Sequence, residues 1–597
     1  MSVRKIVESV LTPARTTRLW TSIYEPALPF TPQDFDISAM MPMMLYLARF
    51  GHRRGRGRFV TTFGQDTGKG PQAPSVANVA AGLAGNADTG IEDFDDEIGK
   101  ALLGDLLLSR CLENRRHAEG QQEQVQRVFP THYFASWIDL PETAVHLRNV
   151  PEMLTALLAG QQTGETLTPA ADAPFRVGAE DFFQNPLLAL FGRHCTIQGE
   201  HAANLASDHF REQDATDIGI DELLTVRMAQ LCESAPKRAA SDYPIPNRMP
   251  LARRAADGLR EDLMAFISVY GAQMPGHAFL QMLEAGIGLG LVNVLLSTAN
   301  IVNDWTRTGE VPEPARQQSI PLFVDASQGQ DRQLRELSEG SVWDCLQRYD
   351  RFPVGMMLLR VIDDAASSDE DLMDRLPADR PDPTASIRFL GDLMRDRAGD
   401  IELDWRQLKR ECKYLADALE NEGLADDVVG ILRSTDRNPA ERMAEALCAL
   451  MGEKQQQAKF RAALDSALLI DRPNGLAVKR QVRRMIDGNQ TRLVARSTVL
   501  SSAALDFLVH RHVRDASAAY QPVPLSLQRF LALLRDRHGL YVDRAPPGQS
   551  ISAELLLENK AWLERRLRDL GLWIGVNDAE SMKQLRPRHG AAGDVDV

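Results

Sequence analysis

The segment RHCTIQGEHAANLASDH, residues 193–209, is the densest group of side chains able to bind a metal or move a proton. Its candidate groups are His194, Cys195, Glu200, His201, Asp208 and His209. On one continuous helix, His194, His201 and Asp208 recur every seventh residue, so neighbours stand about 10 Å apart. One ion needs its donors about 2 Å away, and helical metal pairs use spacings of three or four. The segment therefore forms a site only if Gly199 breaks the helix. Otherwise it is a polar stripe, and we expect no metal.

Asp325 and Ser327 follow the apolar run PLFVD, where a strand end would present them to a substrate. Three motifs come close, and each lacks one residue. A von Willebrand-type metal site requires a second serine in place of Gly329. A nucleophile elbow requires glycine in place of Asp325, and a phosphotransfer pair requires an acid in place of Ser327. Each motif also needs a parallel sheet, whereas the following sequence predicts helices. The simpler interpretation is a capping box, in which Ser327 and Gln330 begin a helix.

An arginine- and glycine-rich loop, GHRRGRGRFVTTFGQDTGKGP, covers residues 51–71. Its cations are Arg53, Arg54, Arg56 and Arg58, which are suited to binding phosphates. A nucleotide-hydrolysing phosphate loop is excluded, because Phe63 stands where the motif needs its first glycine and Gly70 where it needs serine or threonine. The loop therefore predicts contact with a polyanion, or docking on the acidic run at 91–99 of the same chain.

A second basic series, KRQVRRMIDGNQTRLVAR, covers residues 479–496. Spacings of three and four residues predict one basic helix face. Its members are Lys479, Arg480, Arg483, Arg484, Arg492 and Arg496. Aromatic residues for stacking on bases are missing from the series, which disfavours recognition of single strands through their bases. The face suits a nucleic-acid backbone or an acidic partner subunit, and the sequence does not separate the two.

Helical periodicity dominates the elements that must position these groups. Amphipathic segments are predicted at 101–116, 254–273, 341–352, 401–423 and 439–469. Strand-like runs are short and lie at 58–63, 321–325, 540–543 and 572–576. We therefore predict a mainly α, multi-domain protein with a few short strands and a small C-terminal α+β module.

Polar stretches rich in proline and glycine suggest breaks between blocks. The predicted division is an N-terminal segment, a helical domain, a block with a buried central helix, a helical domain opened by a short strand, and a basic C-terminal domain. Their bounds are 1–75, 76–235, 236–310, 311–465 and 466–597. In the last, LLRDRHGLYVD and RLRDLGLWIGV share a plan of helix, glycine and short strand. We expect these two strands to pair, either as a plain α+β cap or as a winged helix.

Composition and charge narrow the class of protein. The 597 residues exceed a single core, and six scattered cysteines without a CxxC pair favour reduced thiols in the cytoplasm. The uncharged run at 285–302 approaches a membrane span in length, but its glycines and polar residues favour a buried helix, so no membrane is expected. The net charge is −14, yet residues 461–597 hold 21 basic and 15 acidic side chains. This basic end either contacts a polyanion or neutralises the acidic body.

These observations predict a non-enzymatic binding or scaffold subunit of a bacterial multi-protein system, without a cofactor. Its expected partners are other protein subunits and a nucleic-acid backbone, and a role in phage defence is a hypothesis about context. One alternative is a hydrolase, metal-dependent or serine-based, with a site near His194–His209, where Glu200 and His201 are an acid–base pair, or at Asp325 and Ser327. Another is a purely protein–protein adaptor.

Overall fold

The computed structural model describes most of the chain. The described residues are 2–21, 23–52, 59–64, 74–113, 123–138, 140, 146–160, 175–178, 184–192, 219–232, 249–271, 274–368, 372, 383–398, 403–486, 489–515, 520–574 and 583–590, without the side chains of 484–491. Two predicted sites, the arginine loop with Arg53, Arg54, Arg56 and Arg58 and the 193–209 segment, lie outside them.

Helices form most of the described structure, which confirms the predicted mainly α class. They are α1 (Val3–Leu11), α2 (Pro13–Leu19), α3 (Ile37–Phe50), α4 (Phe59–Phe63), α5 (Val76–Ala84), α6 (Glu97–Leu108), α7 (Val150–Ala159), α8 (Pro186–Phe191), α9 (Ile220–Leu231), α10 (Arg253–Tyr270), α11 (Gly276–Thr308), α12 (Arg332–Tyr349), α13 (Phe352–Ala366), α14 (Pro383–Met394), α15 (Trp405–Asn421), α16 (Asp426–Arg433), α17 (Pro439–Leu450), α18 (Glu453–Ala467), α19 (Ser502–His512), α20 (Leu527–His538) and α21 (Ala553–Asp569).

The strands are short, apart from one hairpin. They are β1 (Cys111–Glu113), β2 (Val125–Val128), β3 (Leu322–Phe323), β4 (Ala477–Ile486), β5 (Asn489–Thr498), β6 (Arg514–Asp515), β7 (Gln521–Pro522), β8 (Leu525–Ser526), β9 (Leu540–Tyr541), β10 (Trp573–Ile574) and β11 (Gln584–Leu585). The pairs β1–β2, β4–β5 and β6–β7 are antiparallel, β3–β9 is parallel, and β10, β11 and β8 form a three-stranded sheet.

The chain divides into two compact units. One comprises residues 1–34, 248–266 and 281–597, and the other comprises 35–247 and 267–280. The five blocks predicted from the sequence divide the chain more finely, and their boundaries stay a prediction. The basic hairpin, the Asp325 turn and the C-terminal strands all belong to the first unit.

Helix α11 is the core helix predicted from the uncharged run. It is long and apolar enough to cross a membrane by composition, but 94% of its most apolar window is buried inside the protein, as in the core of a soluble protein. Its glycines permit close packing in the first unit. A Cβ atom at Gly290 would stand 2.2 Å from Leu259 of α10, and one at Gly286 would stand 2.3 Å from Phe507 of α19.

Most of the helix ends predicted from glycine and proline are confirmed. Gly423 takes the left-handed conformation after α15, and Pro439 opens α17 behind the cap Asn438. The predicted helix at 439–469 is two helices, because Gly452, also left-handed, separates α17 from α18. The strand predicted at 58–63 is wrong, since Phe59–Phe63 is helical and buries both of its phenylalanines.

The predicted pairing of the two C-terminal strands is also wrong. β9 pairs with β3, more than two hundred residues earlier in the chain, and β10 pairs with β11. Each short strand satisfies its backbone groups with a partner that the local repeat could not reveal. Helix α21 is continuous as predicted.

The described cysteines are buried thiols. Burial raises the pKa of Cys111, Cys345 and Cys448 to about 12 and that of Cys412 to about 11. Because the thiolate is the nucleophile, we expect these four residues to resist iodoacetamide at about pH 8 in the native protein and to react after denaturation. Peptide mass spectrometry checks this result, and native alkylation of any of the four would contradict their burial.

Candidate nucleic-acid interface

Asp325 closes a buried turn. Its side chain is fully buried, and its carboxylate accepts hydrogen bonds from the Ser327 amide (2.9 Å), the Ser327 hydroxyl (2.6 Å) and the Gly329 amide (2.8 Å). Burial raises the pKa of Asp325 against the lowering effect of these donors. Ser327 is only 1% exposed. The pair therefore stabilises a turn and presents no accessible nucleophile.

The predicted capping box at Ser327 and Gln330 does not form. The Ser327 hydroxyl instead accepts from the amide of Asp331 at 2.9 Å. Asp331 is the N-cap of α12, and its carboxylate accepts from the Leu334 amide at 2.8 Å. The helix thus begins one turn later than predicted, because the first carboxylate is used to hold the turn and the second to cap the helix.

Asn559 ties this turn to the neighbouring strand. The residue is fully buried on α21. Its carbonyl oxygen accepts from the Ala326 amide at 2.9 Å, and its amide donates to the carbonyl oxygens of Val324 (2.8 Å) and Val542 (3.0 Å). One side chain therefore satisfies three buried backbone groups just beyond the ends of β3 and β9.

The same junction fixes the root of the β4–β5 hairpin. The Asp325 amide donates to the Thr498 carbonyl at 2.8 Å, and the Ser338 hydroxyl accepts from the Thr498 amide at 2.9 Å while donating to Phe323 at 2.7 Å. Arg566 donates to the carbonyl oxygens of Val499 (3.0 Å) and Leu500. Buried hydrogen bonds thus hold the hairpin where it leaves the domain.

The basic series at 479–496 lies on this hairpin and not on a helix, so the predicted helix face is wrong. Strands β4 and β5 pair over ten residues each, from Ala477 opposite Thr498 to Ile486 opposite Asn489. At about 3.3 Å per residue, the two strands form a ribbon about 33 Å long. In a strand, alternate side chains point to opposite faces, so the basic residues divide between two faces.

The inner face of the ribbon rests on α12. Val482, Leu493 and Ala495 line a small cleft with Val342, Trp343 and Leu346, three residues of that helix. Arg480, also on this face, forms a bidentate ion pair with Glu339, which is 5% exposed. Arg480 is therefore an anchor of the ribbon and not a free cation.

The outer face carries the remaining described cations. Lys479 lies opposite Arg496, Gln481 opposite Val494, and Arg483 opposite Arg492. Arg496 is bound by Asp465 through contacts of 2.6 and 2.8 Å, so it also helps to hold the ribbon. Arg484 is paired with Thr491 in the ladder, but its side chain lies outside the described part.

Lys479, Arg483 and Arg492 are exposed, and within the described part of the chain none of the three has an acidic partner. Arg483 and Arg492 are directly opposed, and like charges in that arrangement destabilise a sheet by up to about 1 kcal/mol. An external anion placed between the two guanidinium groups removes this repulsion and gains charge-assisted hydrogen bonds. We call Lys479, Arg483 and Arg492 the outer basic face.

The hairpin had a signal in the sequence. Asp487-Gly488 is the two-residue connection between Ile486 and Asn489, and Asp-Gly is a frequent type I′ turn dipeptide between strands. The flanking stretches gave no further strand signal, because the valines of VKRQV are four residues apart, a spacing that fits one face of a strand or of a helix. Spacing of the arginines alone favoured a helix, because positions three and four apart also occur in any dense basic segment.

Three buried histidines of the same unit, the pair His512 and His538 and the separately bonded His510, are the next titratable groups. The Nε2 atoms of His512 and His538 are 2.9 Å apart, so one ring donates and the other accepts. His510 accepts from the His589 amide at Nε2, and its Nδ1 therefore donates to the Asp506 carbonyl at 2.7 Å. Burial lowers the pKa of His510 and His538 to about 4.

These neutral histidines predict acid sensitivity. The pKa of histidine in an unfolded chain is about 6.5, whereas that of His510 in the folded protein is about 4. Between these two pH values the unfolded chain therefore binds a proton at His510 that the folded protein does not. The contribution of His510 to stability is complete above about pH 6.5 and is lost as the pH falls, by up to about 1.4 kcal/mol per pH unit. Chemical unfolding at about pH 7 and pH 5 should show a weaker pH dependence for His510→Gln than for the unchanged protein. If the free energy of unfolding depended on pH equally in both proteins, the lowered pKa of His510 would be contradicted.

Together these features define a mainly α protein that carries an exposed basic β-ribbon fixed to a helical domain. A family model described as methylation-associated defense system protein MAD7 matches residues 91–589. The chain therefore belongs to this family, in agreement with the expected role in defence and in a system of several protein subunits. No curated protein and no solved structure matches the chain.

Proposed function

We propose that this protein is the subunit of a methylation-associated defense system that contacts the backbone of double-stranded nucleic acid through the outer basic face of the β4–β5 ribbon. The observation that carries the proposal is the exposed, directly opposed pair Arg483 and Arg492, accompanied by Lys479 on the same face. Like charges are placed together on a rigid support, which is useful when the ligand supplies the opposite charge.

The shape of the ribbon supports a duplex. A two-stranded ribbon fits the major groove of DNA, which is about 12 Å wide, and several DNA-binding proteins insert strands in this way. The sequence of the ribbon contains no aromatic residue, so stacking on the bases of a single strand is not supported. The expected contacts are with phosphates, which give affinity without strong preference for sequence.

The proposal is for a binding subunit in the cytoplasm, without a catalytic role. The buried thiols fit a reducing compartment, and the hydrogen bonds of Asp325 and Ser327 give that pair a structural role. The arginine loop with Arg53, Arg54, Arg56 and Arg58 remains a predicted second contact with the same ligand.

A protein partner is the second candidate. Val494 is 42% exposed on the outer face and lies next to Arg492 and Arg496 along β5. An apolar side chain among cations suits a partner subunit with an acidic surface around an apolar spot. This candidate predicts weak binding to DNA under all conditions and tight binding to another subunit of the system.

The two candidates are separated by titrating the full chain into a labelled duplex of about 25 base pairs at about 50 mM salt. The proposal expects micromolar binding or tighter, retained by Arg406→Gln, which removes an exposed cation on helix α15, outside the ribbon. Absence of duplex binding at this salt concentration would contradict the proposal and leave the protein partner.

A further inference from the structure

The first unit contains a second feature that the ribbon does not use, an open cavity of about 690 Å³. Its walls come from the first half of α10, the middle of α11, the segment 314–319 and one side of α20. Sites for small molecules usually measure about 300 to 1,000 Å³, so the cavity has the size of one.

The carboxylates of this cavity are already neutralised. Asp257 pairs with Arg253 at 3.1 Å, and Asp536 pairs with Arg535 at 2.9 Å. Asp262 receives contacts of 2.7 Å from both Arg511 and Arg537, and Glu261 pairs with Arg537 at 3.0 Å. The acidic side chains therefore leave no uncompensated negative charge for a cationic ligand.

Two guanidinium groups that line the cavity, those of Arg254 and Arg529, differ from these carboxylates because no described side chain of opposite charge neutralises them. Arg254 donates to the Gln317 carbonyl at 2.8 Å, and its backbone amide donates to the Gln317 side chain, so neutral groups orient it. Arg529 lines the same cavity from α20. Within the described part of the chain, neither Arg254 nor Arg529 forms an ion pair, which leaves two positive charges facing the cavity.

Two polar side chains of α11, Asn293 and Ser297, line the cavity and form what we call its polar floor. Asn293 and Ser297 are four residues apart, so they share one face of this helix, and they are 8% and 4% exposed. Among the described residues the Asn293 amide has no hydrogen-bond partner, while Ser297 makes only a long bond of 3.4 Å to Gln318. The Asn293 amide is open to the cavity and not enclosed by the protein, so this polar floor is suited to the hydrogen-bonding part of a ligand.

We propose that this cavity binds a nucleoside phosphate, with its phosphate between Arg254 and Arg529 and its base or sugar on Asn293 and Ser297. Guanidinium groups bind phosphate oxygens through paired, charge-assisted hydrogen bonds. The volume exceeds the needs of a bare inorganic anion, and the polar floor matches the donors and acceptors of a nucleoside. This site does not depend on the proposed function of the ribbon.

Isothermal titration of the full chain with the ribonucleoside monophosphates and triphosphates tests the site, with inorganic phosphate as a separate arm. We expect at least one nucleotide to bind with a Kd below about 1 mM. The double variant Arg254→Gln/Arg529→Gln should weaken binding at least about tenfold. Asn293→Leu should weaken the nucleotide but not inorganic phosphate. Thermal unfolding of each variant checks that it folds.

Matched controls separate this site from other basic surfaces. Arg406→Gln and the ribbon variant Arg483→Gln/Arg492→Gln should bind the nucleotide as the unchanged protein does. The proposal is overturned if no nucleotide binds, or if Arg254→Gln/Arg529→Gln binds normally. It is also overturned if the ribbon variant abolishes binding, which would place the nucleotide on the ribbon. Equal binding of inorganic phosphate and every nucleotide would also overturn the proposal, because an anion alone would then be recognised.

Discussion

Replacement of Asn559 by leucine should destabilise the protein by at least about 3 kcal/mol. The substitution removes the partners of three backbone groups, the Ala326 amide and the carbonyl oxygens of Val324 and Val542. These residues are all buried, and each buried group left unpaired costs about 1 to 3 kcal/mol. Leucine has the same four branched side-chain heavy atoms as asparagine and a larger volume, so the substitution leaves no empty space and the loss of the hydrogen bonds is what it measures.

Chemical unfolding measures this loss, with Asn421→Leu as the matched control. Asn421 is exposed at the end of α15, so the same chemical change there should alter the free energy of unfolding by less than about 0.5 kcal/mol. If Asn559→Leu behaved like this control, the three hydrogen bonds would not hold the junction, and the support of the ribbon would need another explanation.

Reversal of charge at Arg483 and Arg492 should have the largest effect on binding. Each phosphate contact contributes about 0.9 to the slope of log K against log salt. Two contacts therefore contribute about 1.8 in log K, or about 60-fold in affinity, at about 0.1 M salt relative to about 1 M salt. Arg483→Glu/Arg492→Glu removes these contacts and adds repulsion. We therefore expect at least about a 60-fold loss of duplex affinity at that salt concentration.

The matched control for this variant is Arg480→Gln. Arg480 is on the same strand, but it is paired with Glu339 on the inner face, so its loss should change stability more than duplex affinity. The double variant changes the net charge by four and Arg480→Gln by one, so losses of log K in that proportion would indicate that only total charge matters and that the outer basic face has no special role. Circular dichroism and thermal unfolding establish that both variants are folded.

Local patterns in the sequence were sufficient to predict the mainly α class, the buried helix α11 and the continuous helix α21. They were not sufficient for contacts between distant segments. The run PLFVD predicted a strand, but its partner β9 follows more than two hundred residues later, and only the folded chain brings them together.

The candidate site was predicted in part from the sequence. Lys479, Arg483 and Arg492 were identified as candidate ligands of a polyanion, but on a helix. The strand pairing changes which residues act together, because Arg480 and Arg496 turn out to be held by Glu339 and Asp465. No single-sequence rule gives such ion pairs, since their acids lie in other helices.

Asn559 shows the same limitation in a different form. In the sequence it is a weak helix former in the middle of a long helix. In the structure its amide reaches two loops and satisfies groups that no regular element could satisfy. A residue that disagrees with its local element is often explained by such a distant requirement.

The dependence of duplex affinity on salt is the most direct test of the ribbon as a nucleic-acid interface. Arg483→Gln/Arg492→Gln removes two cations without adding a charge, so the slope of log K against log salt should become shallower by about 1.8 relative to the unchanged protein. Fluorescence anisotropy between about 50 and 200 mM salt resolves this difference. An unchanged slope would show that Arg483 and Arg492 do not contact phosphate, and the central claim would be wrong.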